Sequence, residues 1–125
     1  MRQDERFLKG LELFNRGEYF ECHDVIEDLW LETPEDDPRR DLYKGVIQAA
    51  AAIYQWDRGI FSGARGLYRT SVLYLEKYRP DALGLNTKKL ILEIKMLFAD
   101  LECWDGRSVV ARDEKLTPVL EFKVL

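Results

Sequence analysis

Between Arg40 and Arg58 the chain contains Gly45-Val46-Ile47-Gln48-Ala49-Ala50-Ala51-Ala52-Ile53-Tyr54, and on a helical wheel this stretch is apolar almost all round. Lys44, Gln48 and Gln55 form its narrow polar stripe. A helix with so wide an apolar surface has to be covered on most sides by other elements, so it is expected to be central and buried. Its alanines let neighbouring helices approach closely. The amide of Gln48 carries donors and an acceptor that need partners inside the protein.

The elements that could cover it are legible on either side. Phe7, Leu8, Leu11 and Phe14 sit at helical spacing within Asp4 to Phe14, and Asn15-Arg16-Gly17 stops that helix with a residue able to take positive φ. A second helix is expected from Glu18 to Leu31, with acidic residues at the positive end of its dipole. Thr33-Pro34-Glu35-Asp36-Asp37-Pro38 forbids helix and reads as a solvated acidic loop. After Arg58-Gly59, residues Ser62 to Tyr78 form a fourth helix with Ala64, Leu67, Tyr68, Val72 and Leu75 on its inner face, ended by Pro80. Asn86-Thr87 caps a fifth, Thr87 to Leu101, with Leu90, Ile91, Ile94, Leu97, Phe98 and Leu101 as its packing stripe.

Beyond Trp104-Asp105-Gly106 the helical period is lost. Val119 to Leu125 alternates around Glu121 and Lys123, which predicts an extended tail lying on the bundle or on a second subunit. The expected fold is all-α: one domain over residues 1–125, a compact five-helix bundle with the second and third helices central and an extended C-terminal tail over 106–125. A weak repeat at an offset of 42 residues aligns Arg16-Gly17-Glu18-Tyr19 with Arg58-Gly59-Ile60-Phe61, and places Arg65 and Arg69 where the first unit has His23 and Glu27. Two similar helical hairpins would account for it.

The net charge of −4 and the lack of any basic run interleaved with exposed aromatics argue against nucleic acid as a partner. No apolar run approaches the roughly 18 residues that span a bilayer, and Met1 to Arg6 lacks the hydrophobic segment of a signal peptide, so no membrane partner is expected. The expected compartment is the cytoplasm. There, two isolated cysteines, Cys22 and Cys103, read as buried small hydrophobes.

The second helix holds the single histidine of the chain. His23 and Glu27 are i and i+4, so their side chains project together, about 6 Å apart at Cβ. One apolar stripe on that helix is Tyr19, Cys22, Val25, Ile26 and Leu29, and a second is Phe20 and Leu31. The pair falls between them and is therefore expected to be mostly buried, with Gln48 from the third helix as its partner. Tyr19, Phe20, Trp30, Tyr54 and Trp56 recur at helical spacing and read as core, and Arg65, Arg69 and Arg79 as a solvated face.

His23-x-x-x-Glu27-x-x-Trp30, preceded by Phe14-Asn15-x-Gly17-Glu18-Tyr19-Phe20-Glu21 and followed by Gly45-x-Ile47-Gln48-x-Ala50 and Gly63-Ala64-x-x-Leu67, resembles the signature of the family called domain of unknown function 309. The resemblance spans about residues 7 to 80. It implies a small all-helical fold and a suspected metal-binding role for the His and the Glu, and it supplies no substrate. Many family members have a second histidine near the end of the third helix, where this chain has Tyr54-Gln55.

Three readings of the pair stand side by side. It can be a hydrogen-bonded structural network with Gln48. It can offer a nitrogen and one or two oxygens to a divalent metal, for which His23 and Glu27 are the candidate ligands. It can act as an acid-base couple, with His23 and Glu27 as the candidate catalytic residues. The reading favoured by the residues is an uncharacterised binding or scaffolding module, in which His23, Glu27, Trp30, Gln48 and Tyr19 contact a small ligand or a protein partner. A metal-assisted or acid-base hydrolytic enzyme is the alternative. Leu73, Leu92 and Met96 are the apolar residues from which a homodimer contact is expected.

Overall fold

The structure, a computed structural model, describes residues 2–125. Five helices follow one another: α1 (Glu5–Asn15), α2 (Tyr19–Glu32), α3 (Arg40–Asp57), α4 (Phe61–Glu76) and α5 (Thr87–Glu102). One 3₁₀ turn, Glu114–Leu116, interrupts an otherwise extended final segment. Each helix packs against the next, with α3 held between α2 and α4.

The central role of α3 follows from its composition. Ten of its 18 residues are buried, including Ala49, Ala52 and Ile53 at 0% exposure, so the wide apolar arc is covered as its pattern requires. Around it the core gathers Phe7, Leu11 and Phe14 of α1, Ile26 of α2, Leu75 of α4 and Phe98 of α5. The Phe98 ring stacks on Tyr68 with centroids 4.6 Å apart and lies 4.9 Å from Trp56, tying α3, α4 and α5 together. Truncating a ring so enclosed costs about 3–5 kcal/mol.

The two hairpins share one turn. Glu18 N–H donates to the carbonyl of Leu13, Gly17 N–H to Phe14 and Cys22 N–H to Glu18; Ile60, Gly59 and Ala64 make the same bonds to Gln55, Trp56 and Ile60. Gly17 and Gly59 both have φ +77°. This is the glycine-closed helix terminus in which the residue after glycine reaches back to the last turn, satisfying carbonyls the helix leaves open. The 42-residue repeat is thus a repeat of hydrogen bonds as well as of residue types.

On α2 the observed packing is narrower than its wheel suggests. Tyr19, Cys22, Ile26 and Leu29 are buried, whereas Phe20 and Leu31, expected to form a second buried stripe, are 49% and 65% exposed. The helix is held between α1 and α3, with its outer side in solvent. Arg40 anchors its end by donating to the carbonyls of Trp30 and Thr33, and the Thr33 hydroxyl donates to Leu29 O at 2.7 Å. The 33–38 loop is solvated at Pro34, Glu35, Asp36 and Pro38, as its charge implies, and is tied down at two points: Thr33 is buried, and Asp37 accepts from the backbone and guanidinium of Arg39.

The final segment is extended, as its alternation indicates. Leu120 is buried and makes paired backbone bonds with the Asn15 side chain, Trp56 Nε1 donates to Val110 O at 2.7 Å, and Arg112 grips Asp57 through two bonds. Leu73, Leu92 and Met96 are exposed. No helix among the described residues is long and apolar enough to cross a membrane.

Candidate functional site

α2 brings His23 and Glu27 together as the i, i+4 spacing requires: His23 Nε2 lies 3.2 Å from Glu27 Oε2. Nδ1 of the same ring lies 3.4 Å from Asp24 Oδ1, so carboxylates approach both ring nitrogens. The expected burial is corrected here. The side chains of His23 and Glu27 are 31% and 41% exposed, because they stand at the margin of the α2–α3 contact, where Phe20 is also half exposed.

Gln48 does not join the pair. Among the described residues it has no hydrogen bond to His23 or Glu27, and its Oε1 is buried without a donor. Trp30 is drawn elsewhere. Arg40 Cζ and Lys44 Nζ each lie 4.2 Å from the centre of its ring, so the indole is held by two cations from the start of α3 and clamps α2 to α3.

Tyr19 and His23 do share a cavity. It measures about 110 Å³ and is lined by Tyr19, Phe20, His23, Ala51, Tyr54 and Gln55, between the N-terminal half of α2 and the C-terminal half of α3. Its walls are mostly aromatic: the Phe20 and Tyr54 rings lie 5.5 Å apart, and burial pushes the Tyr19 phenol above its ordinary range. The Tyr54 hydroxyl accepts a hydrogen bond from Arg58 Nη1 at 2.9 Å. Gln55 Oε1 is buried and accepts no hydrogen bond among the described residues. A buried amide oxygen without a donor forfeits about 1–3 kcal/mol, an unusual loss in a native interior.

Ala51 and Gln55 are the site residues that sequence reasoning did not select, and Phe20 and Tyr54 were assigned to the core. The signal for Gln55 was present, since it lies on the same polar stripe of α3 as Gln48 and Lys44. Whether Gln48 or Gln55 meets His23 is decided by how two antiparallel helices are offset along their length.

The chemistry available is limited. Cys22 is fully buried, and burial pushes its thiol up to about 12, which removes it as a nucleophile. The side-chain partners of His23 are the carboxylates Asp24 and Glu27. Among the described residues no three His, Cys, Asp or Glu side chains converge as a metal-binding set. His23 and Glu27 therefore provide two ligands where a catalytic zinc site uses three, and the donor set does not fit that role.

Residues 7–67 match the family described as Domain of unknown function (DUF309). The uncharacterized protein YpuF of Bacillus subtilis (strain 168) is 32% identical over 104 residues, covering 79% of this chain. The chain spans 59% of the length of that relative.

Proposed function

Residues 7–67 match the DUF309 family, and we propose that the chain is a binding module whose recognition site is the aromatic cavity between α2 and α3. The observation that carries this reading is the unpartnered Oε1 of Gln55, a residue that lines the preformed cavity: the atom is covered, and a turn of its side chain would present it to a ligand N–H. Size restricts what enters. At about 110 Å³ the cavity falls below the roughly 300 Å³ at which drug-sized ligand sites begin, so it suits a small head group or one side chain of a protein partner.

In this reading Tyr19, Phe20 and Tyr54 supply the apolar walls, Gln55 the acceptor, and His23 with Glu27 a polar rim. Trp30 and Gln48 support the site from the helix interface. A larger depression of about 560 Å³, bordered by Leu83, Asn86, Lys88 and Phe122, lies away from His23 and has no such buried acceptor.

The test is an NMR titration with acetamide, methylguanidine and benzylamine. Amide shifts should concentrate at residues 19–23 and 51–55, and Ala51→Leu, which fills the cavity, should abolish them. Shifts that survive Ala51→Leu unchanged would refute the site. The metal-assisted or acid-base alternative retains one observation, the 3.2 Å contact of His23 with Glu27. Stoichiometric zinc or manganese binding that His23→Ala removes would favour it.

A further inference from the structure

Residues 117–125 are held the way a groove holds a bound peptide. Val119 N–H donates to Glu93 Oε1 and Val119 O accepts from Lys89 Nζ; Leu120 N–H and C=O pair with Asn15 Oδ1 and Nδ2 at 2.7 and 2.9 Å. Gln3 donates to Lys123 O at 2.8 Å and accepts from Leu125 N–H at 2.8 Å. The backbone of the 84–86 turn supplies the rest, Asn86 N–H to Glu121 O and Lys123 N–H to Gly84 O.

Eight backbone groups of this segment are thus satisfied by α1, α5, Gln3 and one turn, six of them by side chains. Within the segment Pro118 and Leu120 are buried, with Phe122 packed against the core beside them, while Val119, Glu121, Lys123, Val124 and Leu125 are exposed. Recognition is by extended backbone plus two buried anchors, Pro118 and Leu120, the mode by which proteins bind peptide strands. The segment is joined to the bundle through the 3₁₀ turn Glu114–Leu116, which contains no buried residue and is capped by Asp113.

We propose that this groove also takes residues 117–125 of a second copy of this chain, so that two copies exchange their final segments. The second copy is the occupant the structure favours because its identical segment reproduces every one of these bonds in trans. The contacts then cancel between closed and exchanged forms, and the balance rests on the Glu114–Leu116 turn and on concentration. Tethering gives the cis segment an effective concentration in the millimolar range, so the closed monomer dominates in dilute solution. Exchange prevails when the protein is concentrated or when cis seating is blocked.

The test uses two full-length variants. Asn15→Leu removes both side-chain bonds to Leu120, leaving an intact segment without a groove; Leu120→Asp leaves an intact groove without a segment that can enter it. Each alone should be a 14.7 kDa monomer by light scattering, and an equimolar mixture should form a 1:1 species of twice that mass. A mixture that stays monomeric at several hundred micromolar would overturn the proposal. If circular dichroism shows either variant unfolded, Asn15→Ser and Leu120→Ser replace them. A labelled peptide of residues 117–125 supplies a second measurement: it should bind Leu120→Asp at least tenfold more tightly than wild type, and binding that is undiminished by adding Asn15→Leu would also overturn the assignment of the groove.

Discussion

Gly45 lies directly beneath Leu75: a methyl group placed on its Cα would sit 2.7 Å from Leu75 Cδ2 and 3.3 Å from Tyr74 Cβ. The same contact carries a buried hydrogen bond, Ser71 Oγ donating to Gly45 O at 2.7 Å. α3 and α4 therefore meet at a spacing that only hydrogen at position 45 permits. Gly45→Ala should destabilise the protein by about 1–3 kcal/mol through overpacking, despite the better helix propensity of alanine. Thermal unfolding measures it. Gly45→Ala/Leu75→Val should recover part of the loss, and an unchanged midpoint for the single variant would mean that the helices are not so closely apposed.

The two thiols should behave differently. Sequence reasoning treated Cys22 and Cys103 alike as buried, but Cys103 is exposed at the end of α5 while Cys22 is enclosed. Titration with a thiol reagent at pH 8 should modify one cysteine per chain in the native protein and the second only in denaturant. Two fast thiols would place Cys22 outside the core.

Acid should act through specific carboxylates. The Ser108 hydroxyl, 2.5 Å from Asp105 Oδ2, together with the backbone N–H groups of Ser108 and Arg107, holds the Asp105 carboxyl down to about 2; the Arg39 guanidinium does the same for Asp37. The ordinary value for both is 3.8. A carboxyl that is more acidic in the folded state stabilises fully above its unfolded value and loses that contribution as pH falls through the folded one. Stability should accordingly drop between about pH 4 and pH 2. Asp105→Asn should flatten this fall, as followed by thermal midpoints across pH 5 to 2. Trp104 fluorescence offers a local signal, since Trp104 Nε1 donates to Ser108 O in the same turn.

Much of the fold was legible because its rules are local. The apolar arc of α3, the positive φ at Gly17 and Gly59, and the Asn86 side chain accepting from Lys89 N–H at the start of α5 each depend on a few neighbouring residues. The site was legible only in part. Helical spacing fixes that His23 and Glu27 meet, but a wheel gives directions around one helix and not what stands outside it, so their exposure was missed. The choice of Gln55 over Gln48 beside His23 is a question of helix offset. The bonds that seat the final segment join residues such as Asn15 and Leu120, 105 positions apart, and no periodicity announces them.

The 42-residue repeat gives the molecule an internal reference. Where the first hairpin has His23 and Glu27, the second has Arg65 and Arg69, and there the chain has completed its own chemistry: Arg69 is bound to Glu102 at 2.8 and 2.9 Å, and Arg65 lies over the Trp104 ring. One scaffold is thus present twice, once with these positions engaged by side chains of α5 and the chain beyond it, and once with the pair meeting only partners on its own helix. Temperature, denaturant or a nonspecific solute should disturb the amides of both hairpins in parallel. A true ligand should move residues 19–23 and leave the equivalent residues 61–65 still, so a single spectrum contains both the measurement and its blank.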